Sequence, residues 1–144
     1  MYKTVLLALD GSPLAEQAMP HAIALARAFE AAIELVTVAP ALDGSALLAA
    51  GVSLNWEQEI AQCEEYQAEV VRRLKKEGLT CRTEVRGGEI AEEILRHCQE
   101  KSADLIIMTT HGRSGLGRWV YGSVADRVLR YADVPVLLVR ARAE

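Results

Sequence analysis

The sequence lacks three features that would place it in a familiar class: a long apolar run, a basic cluster and a paired cysteine motif. The apolar run near the N-terminus spans only seven residues before Asp10, which fits neither a signal peptide nor a membrane span. A formal net charge of −4 without a basic cluster argues against nucleic acid as the main partner, although a small pocket can still bind a nucleotide. Cys63, Cys81 and Cys98 form no C-x-x-C pair and are best explained as small core residues in a reducing compartment. We therefore expect a cytoplasmic protein that binds no membrane.

Short apolar segments alternate with helical patterns along the 144 residues, a length typical of one domain over 1–144. Three of the five apolar segments are near-continuous, as in strands that are covered on both faces of a parallel sheet. The predicted strands are KTVLLAL (3–9), AIELVTV (32–38), TCRTEVR (80–86), DLIIMTT (104–110) and VPVLLVR (134–140).

The intervals between these strands have the apolar spacing of helices. In the first interval, Ser12 is the expected N-cap, Pro13 the first helical residue, and Pro20 the cause of a kink within the helix. Residues 39–53 are too many for a tight connection and predict an excursion over the sheet edge or a lid. The predicted helices span 13–29, 54–77, 89–101 and 123–131.

The alternation of strands and helices predicts an α/β fold with an open, twisted, five-stranded parallel sheet and helices on both faces. With strand order 3-2-1-4-5, strands 2 and 3 lie on one side of strand 1, and strands 4 and 5 lie on the other. The loops after strands 1 and 4 therefore separate at the carboxyl edge of the sheet. Open α/β sheets bind ligands at such a switch point. The two loops are LDGSP (9–13) and THGRSGLGRWVYGS (110–123).

A glycine-rich stretch follows strand 4: MTTHGRSGLGRWVYGSVADRVL (108–129). Glycines allow a backbone to approach an oxyanion closely, and a helix that begins at Gly122–Ser123 directs its free N–H groups to the same place. The spacing matches neither G-x-G-x-x-G nor G-x-x-x-x-G-K-[ST]. From the residues alone, the stretch is either a phosphate-binding loop or a structural turn.

Three segments together resemble the universal stress protein family over essentially the whole chain: LALDGS, MTTHGRSGL and GSVADRVLRYADVPVLLVR. The nucleotide-binding branch of that family carries the pattern G-x2-G-x9-G-[ST]. Gly112, Gly122 and Ser123 match its later positions, whereas Thr109 stands where the first glycine is expected.

The resemblance implies that ATP or a related adenine nucleotide is bound, with or without Mg²⁺. It implies that Asp10 lies near the ribose and the metal-bridged phosphates, and that glycines 112 and 122 approach the phosphates. The other implied roles are a border to the base by Ala8, a backbone contact to the adenine edge by Val38, packing on the base or sugar by Met108, crowding by Thr109, and capping of the phosphates by Ser123, Val124 and Ala125.

Several of these residues have a purely structural alternative. Asp10 fits a cap of the turn into the first helix, Ser123 fits an N-cap, and Met108 fits a core position. His111 has no Ser or Cys nucleophile and acidic partner in the motif, which argues against catalysis. The loop residues Arg113 and Arg118 fit either a phosphate contact or a solvent-facing position.

The expected function is that of a stress-response sensor or switch that binds an adenine nucleotide. We expect no dedicated catalysis and at most slow ATP hydrolysis, because the loop has no phosphate-reaching lysine and no evident base for water. The alternative is a nucleotide-free module that binds other proteins. The resemblance also implies a homodimer formed by antiparallel contact of the last strand, 134–140, and an exposed apolar edge strand favours such pairing.

Overall fold

The computed structural model describes residues 1–40, 56–111 and 122–142. Its strands are β1 (Thr4–Ala8), β2 (Ala32–Pro40), β3 (Cys81–Gly88), β4 (Leu105–Thr109) and β5 (Val136–Val139). Its helices are α1 (Pro13–Glu16), α2 (Met19–Phe29), α3 (Trp56–Lys76), α4 (Ile90–Glu100) and α5 (Ser123–Tyr131).

The five strands form one sheet in the order β3-β2-β1-β4-β5, and all four neighbouring pairs are parallel. β1 lies at the centre, where Val5 is in register with Ile33 on one side and with Leu105 on the other. The predicted fold class and strand order are confirmed. The loops after β1 and β4 therefore leave the same edge of the sheet and diverge there.

Helices cover both faces of the sheet. On one face, α1, α2 and α3 pack on alternate residues of the central strands, among them Val5, Leu7, Ile33 and Leu35. On the opposite face, α4 and α5 pack on the intervening residues: Leu6, Val36, Ile106 and Met108. This alternation is the period of two that a strand imposes on its side chains.

The predicted helix 13–29 is divided into two, so the expectation of a kink was wrong. Pro20 lacks an N–H group, and its ring would collide with the carbonyl four residues earlier in a continuous helix. Between the two helices, the chain forms a tight turn in which the N–H groups of Gln17 and Ala18 donate to carbonyls three residues earlier. Helix α2 then begins at Met19. The predicted cap is present, since Ser12 Oγ accepts the N–H of Ala15 at 3.1 Å.

Other boundaries differ from prediction at the ends of elements. β5 spans only 136–139 of the predicted 134–140, and Pro135, which has no N–H to donate, lies just before it. β2 continues to Pro40, and the rest of the predicted excursion 39–53 lies outside the described residues. Within the described ranges, no helix combines the length and apolar character needed to cross a membrane.

The cysteines differ in their surroundings. Cys98 lies on the buried face of α4, as expected for a core residue, whereas Cys63 and Cys81 are partly exposed. All three are free thiols. Burial raises the pKa of Cys81 to about 11 and also raises the pKa of Cys98, so these two thiols are poor nucleophiles.

Candidate functional site

A cavity of about 340 Å³ opens at the carboxyl edge of the sheet, where the loops after β1 and β4 diverge. Its volume is near the lower end of the range for small-molecule sites. The lining residues come from both faces of the sheet: Ala8, Leu9, Asp10, Ala15, Val36, Val38, Ile90, Ile94, Met108, Thr109, Thr110, Gly122, Ser123, Val124 and Ala125.

All the described residues that the sequence predicted for the site line this one cavity: Ala8, Asp10, Val38, Met108, Thr109, Gly122, Ser123, Val124 and Ala125. Gly112 lies outside the described residues, as do the loop arginines 113 and 118. The sequence did not predict Ile90 and Ile94, which α4 contributes on the face of the sheet that it shares with α5. Val36 could have been found, since it lies two residues before Val38 and therefore on the same face of β2.

Val38 is not the last residue of β2, but its backbone is directed toward the cavity. The N–H of Leu9 donates to the carbonyl of Val36 at 3.1 Å, so the even-numbered residues of β2 bond toward β1. Val38 continues that alternation past Ala8, where β1 ends. Its N–H and carbonyl thus point to the side where the adenine edge was expected.

Asp10 forms a tight turn between β1 and α1. Its Oδ1 accepts the N–H of Ser12 at 2.9 Å, and Gly11 between them has a φ of 87°, which favours glycine. The structural role expected as the alternative for Asp10 is therefore present. The same residue lines the cavity, so its carboxylate is also placed to meet a ligand.

Gly122 joins the two ends of the glycine-rich loop. Its N–H donates to the carbonyl of Thr110 at 2.9 Å, so this N–H is already used within the chain. A Cβ at this position would lie 3.0 Å from the same carbonyl oxygen. The glycine is thus favoured by a close approach of backbone to backbone, a contact that the sequence did not predict.

Helix α5 starts without a side-chain cap among the described residues. Gly122, not Ser123, is the N-cap, and the first bond of the helix runs from the Asp126 N–H to the Gly122 carbonyl. The first-turn N–H groups of Ser123, Val124 and Ala125 therefore have no carbonyl acceptor in their own helix. They lie at the cavity wall, with the positive end of the helix dipole.

Thr109 and Thr110 fix the beginning of the loop. Thr109 is 5 % exposed, and its Oγ1 donates to the carbonyl of His111 at 2.7 Å. The Oγ1 of Thr110 accepts the N–H of Ala141 at 3.2 Å. Because its hydrogen is already donated, the Thr109 hydroxyl can only accept from a ligand, which a ribose hydroxyl satisfies and an ionised phosphate does not.

α1, which borders the cavity through Ala15, is held from two sides. The hydroxyl of Tyr66 on α3 donates to a carboxylate oxygen of Glu16 at 2.8 Å. Burial is the main cause that raises the pKa of Tyr66 well above its usual range, and this hydrogen bond is the next largest. Gln17 exchanges two hydrogen bonds of 2.9 and 3.0 Å with the backbone of Arg142. The chain after β5 therefore connects α1 to the loop at Thr110.

The chemistry of the lining fits a nucleotide better than an isolated metal ion. Asp10 is the sole ionisable side chain among the described lining residues, and no group of three metal-ligating side chains occurs in the described part of the chain. A phosphate-bound Mg²⁺, which usually keeps several waters and takes one or two carboxylates, fits this donor set. The described lining otherwise offers apolar walls and backbone N–H groups, which suit a base and phosphates.

A model of the universal stress protein family matches residues 1–140. A universal stress protein of Methanocaldococcus jannaschii is 35% identical over 144 residues, covering 97% of this chain and 83% of the relative. The solved structure of the universal stress protein UspA from Lactobacillus plantarum has a TM-score of 0.82 at 22% identity and covers 96% of this chain and 98% of its own. A universal stress protein from Archaeoglobus fulgidus, solved in complex with dAMP, has a TM-score of 0.71 at 22% identity, with 97% and 98% covered. The two structural likenesses show the fold.

Proposed function

The chain belongs to the universal stress protein family, and from that premise we propose that it binds ATP or a related adenine nucleotide and acts as a stress-response sensor or switch. The observation that carries the proposal is the start of α5 at the cavity wall, which has no side-chain cap among the described residues. Free N–H groups and the helix dipole together form a ready anion site. The dAMP complex of the Archaeoglobus fulgidus relative supports an adenine nucleotide as the ligand.

The cavity lining offers groups that complement the base, the sugar and the phosphates of a nucleotide. Ile90, Ile94 and Met108 offer an apolar surface for the base, and the backbone of Val38 offers a donor and an acceptor for its edge. Ser123 is exposed at the start of α5, so its hydroxyl and the following amides are available to phosphate oxygens. Asp10 suits a ribose hydroxyl or a phosphate-bound Mg²⁺.

The proposed role is binding, with at most slow hydrolysis. Phosphoryl transfer needs a group that orients water and cations that neutralise the developing charge. The one ionisable side chain in the described lining, Asp10, already accepts the Ser12 N–H. We propose that the protein works in the cytoplasm and signals through the state of its bound nucleotide.

We also propose a homodimer formed along β5, the apolar edge strand. Thr110 and Ile106 donate to the carbonyls of Val139 and Pro135, so the backbone of Leu138 is directed outward, away from β4. Leu138→Pro removes one outward N–H, whereas Leu138→Ala shortens the same side chain and keeps that N–H. Sedimentation at micromolar concentration should show a dimer for the parent and the alanine variant and a monomer for the proline variant; a parent monomer would contradict the proposal.

A nucleotide-free, protein-binding module is the second candidate, and Thr109 is the observation that favours it. A buried threonine occupies the position where nucleotide-binding members carry glycine, and it lies at the cavity wall. On this alternative, the Thr109–His111 and Gly122–Thr110 hydrogen bonds hold the two described ends of the loop without any ligand.

Mass spectrometry of small molecules released from protein purified without added nucleotide separates the two candidates. We expect an adenine nucleotide to be released. Calorimetry with ATP then compares the parent with Gly122→Val, whose side chain would press on the Thr110 carbonyl and displace the start of α5. Loss of binding in a variant with a native circular dichroism spectrum supports the site; equal affinity in both proteins would exclude it.

A further inference from the structure

Thr109, the last residue of β4, and Thr110 after it both line the cavity, but their hydroxyl groups are used differently. The Oγ1 of Thr110 accepts the N–H of Ala141 at 3.2 Å and lies 3.2 Å from Nδ1 of His111. The Oγ1 of Thr109 donates to the carbonyl of His111 at 2.7 Å, and no group in the described part of the chain donates to it. Thr109 therefore has acceptor capacity left for a ligand.

The side chain of Thr109 lies on the face of the sheet that α1 covers. Ile107, two residues earlier, packs with residues of α1 and α2, whereas Met108 packs with residues of α4 and α5 on the other face. Side chains alternate along a strand, so Thr109 shares the face of Ile107. Because Thr109 is only 5% exposed, its hydroxyl has little access to bulk water. A ligand that covers this oxygen must therefore supply the donor itself.

The order of the strands places the sugar of a nucleotide beside Thr109. The backbone proposed for the edge of the base is that of Val38 on β2, and the N–H groups proposed for phosphate begin α5, which follows β4 in the chain. β1 lies between β2 and β4 in the sheet. The sugar joins the base to the phosphates, so it lies over the ends of β1 and β4, where Ala8 and Thr109 line the cavity.

Few groups of an adenine nucleotide can donate to the Thr109 oxygen. Ionised phosphates and the ring nitrogens of the base that carry no hydrogen only accept. The exocyclic amino group donates, but the apolar wall proposed for the base, formed by Ile90, Ile94 and Met108, lies on the other face of the sheet. The donors that remain are the 2′- and 3′-hydroxyl groups of ribose.

We propose that Thr109 recognises the sugar, so that the site prefers a ribonucleotide to the corresponding deoxynucleotide; this inference rests on the proposed adenine-nucleotide function. A sugar without the contacting hydroxyl leaves the Thr109 oxygen without its donor, which costs affinity. Glycine, which the nucleotide-binding branch carries at this position, has no side chain for such a contact. The Archaeoglobus fulgidus relative was solved with a deoxynucleotide, so the preference is assigned to this threonine and not to the family.

Thr109 acts on a nucleotide in two ways, and a ratio of affinities separates them. The volume of its side chain crowds ribonucleotides and deoxynucleotides to a similar extent, whereas its hydroxyl distinguishes them. The ratio of the affinity for ATP to that for a deoxy analogue therefore measures the hydroxyl contact without the crowding. Thr109→Gly removes both the volume and the hydroxyl, so it should raise both affinities and lower this ratio.

Calorimetry of the full-length protein with ATP, 2′-deoxy-ATP and 3′-deoxy-ATP tests the proposal. We expect the parent to bind ATP about tenfold more tightly than at least one of the two deoxy analogues. The analogue that binds more weakly identifies the hydroxyl that Thr109 contacts. Equal affinities for all three nucleotides would overturn the inference and leave the proposed function standing, whereas no binding of any of the three would overturn both.

Two variants test whether Thr109 is the origin of the preference. Thr109→Val keeps the shape of the side chain and removes the hydroxyl, so we expect the three affinities to agree within about twofold. Thr109→Ser keeps the hydroxyl and should retain the preference. A preference that persists in Thr109→Val would assign it to another group, such as the Asp10 carboxylate, and refute the role of Thr109. If the valine variant does not fold or binds no nucleotide, Thr109→Gly takes its place, since it also lacks the hydroxyl.

Discussion

Helices α4 and α5 lie side by side on one face of the sheet, and their first turns are satisfied in opposite ways. α4 is capped by its own chain, because the Glu89 carboxylate accepts the N–H groups of Ala91 and Glu92. α5 begins at Gly122 with no such carboxylate among the described residues. In the described part of the chain, the start of α5 therefore lacks the anionic cap that α4 has.

On the proposed function, the difference separates a helix start that serves stability from one that is open to a ligand. The anionic group at the start of α4 is the side chain of Glu89, so it is present whether or not a ligand is bound. At α5 the corresponding group would come from a bound phosphate, and its presence would follow the nucleotide concentration. A sensor needs the second kind of site, because its state must change with the ligand.

Placing a carboxylate at the open start should have the largest effect. Gly122→Asp would make α5 resemble α4, and its charge would repel a phosphate from the first turn. We expect calorimetry to show at least about a hundredfold weaker ATP binding. Gly122→Asn is the matched control, since it meets the same Thr110 carbonyl without the charge. Equal and measurable ATP affinities for the two variants would show that no phosphate lies there, whereas loss in both would be the effect of the added Cβ.

Removing the threonine beside the open start should strengthen binding. Thr109→Gly relieves crowding of the kind that costs about 1–3 kcal/mol, so we expect ATP affinity to rise about tenfold. Thr109→Val keeps the volume and removes the hydroxyl that donates to His111, so it should bring no gain. Weaker binding by the glycine variant would mean that the threonine itself contacts the ligand, and absence of binding in every variant would favour the nucleotide-free module.

Removing the cap from α4 should affect stability and leave binding intact. Glu89→Ala leaves two first-turn N–H groups without their acceptor, which typically costs about 1 kcal/mol. Urea unfolding measures the loss, and ATP titration of the same variant provides the contrast. Glu92→Ala, on the same first turn, is the control, and a loss of ATP affinity confined to Glu89→Ala would remove the distinction between the two helix starts.

Replacing Asp104, whose carboxylate accepts two N–H groups outside a helix, should have the smallest effect, and that effect should be lost in acid. The backbone N–H groups of Thr4 and Lys3 lower the pKa of Asp104 below its ordinary 3.8. Its contribution is therefore fully present above that value and is lost as the pH falls through the lower pKa of the folded chain. Unfolding at several pH values should show Asp104→Asn less stable than the parent near neutrality, with the difference shrinking below about pH 4; a constant difference would contradict this origin.

Local patterns predicted the sheet and the place of the cavity but not the hydrogen bonds at the ends of the loops. The apolar runs and helical intervals fixed five parallel strands, and the switch point followed from their order. The Gly122–Thr110 hydrogen bond was not predictable, because no local pattern indicates which backbone carbonyl a glycine will approach. Ser123 likewise read as a cap from its residue type, whereas the cap falls one residue earlier.

The contact between His97 on α4 and Glu34 on β2 was not predictable for the same reason. His97 carries no motif, and Glu34 occupies one position of a short strand pattern. They become partners only because the sheet order brings β2 beneath α4, across a separation of 63 residues. Ile90 and Ile94 reach the cavity by the same long-range packing.

The central position of β1 has a consequence for synthesis of the chain. β1 leaves the ribosome before the other four strands, and its neighbour β4 follows much later. The backbone N–H of Lys3 and the carboxylate of Asp104, which form a hydrogen bond where these two strands begin, are 101 residues apart. During that interval, one edge of the central strand and the face later covered by α4 and α5 remain open to other chains. Contacts of such long range also slow folding. The nascent protein is thus most prone to aggregation just before its fourth strand emerges.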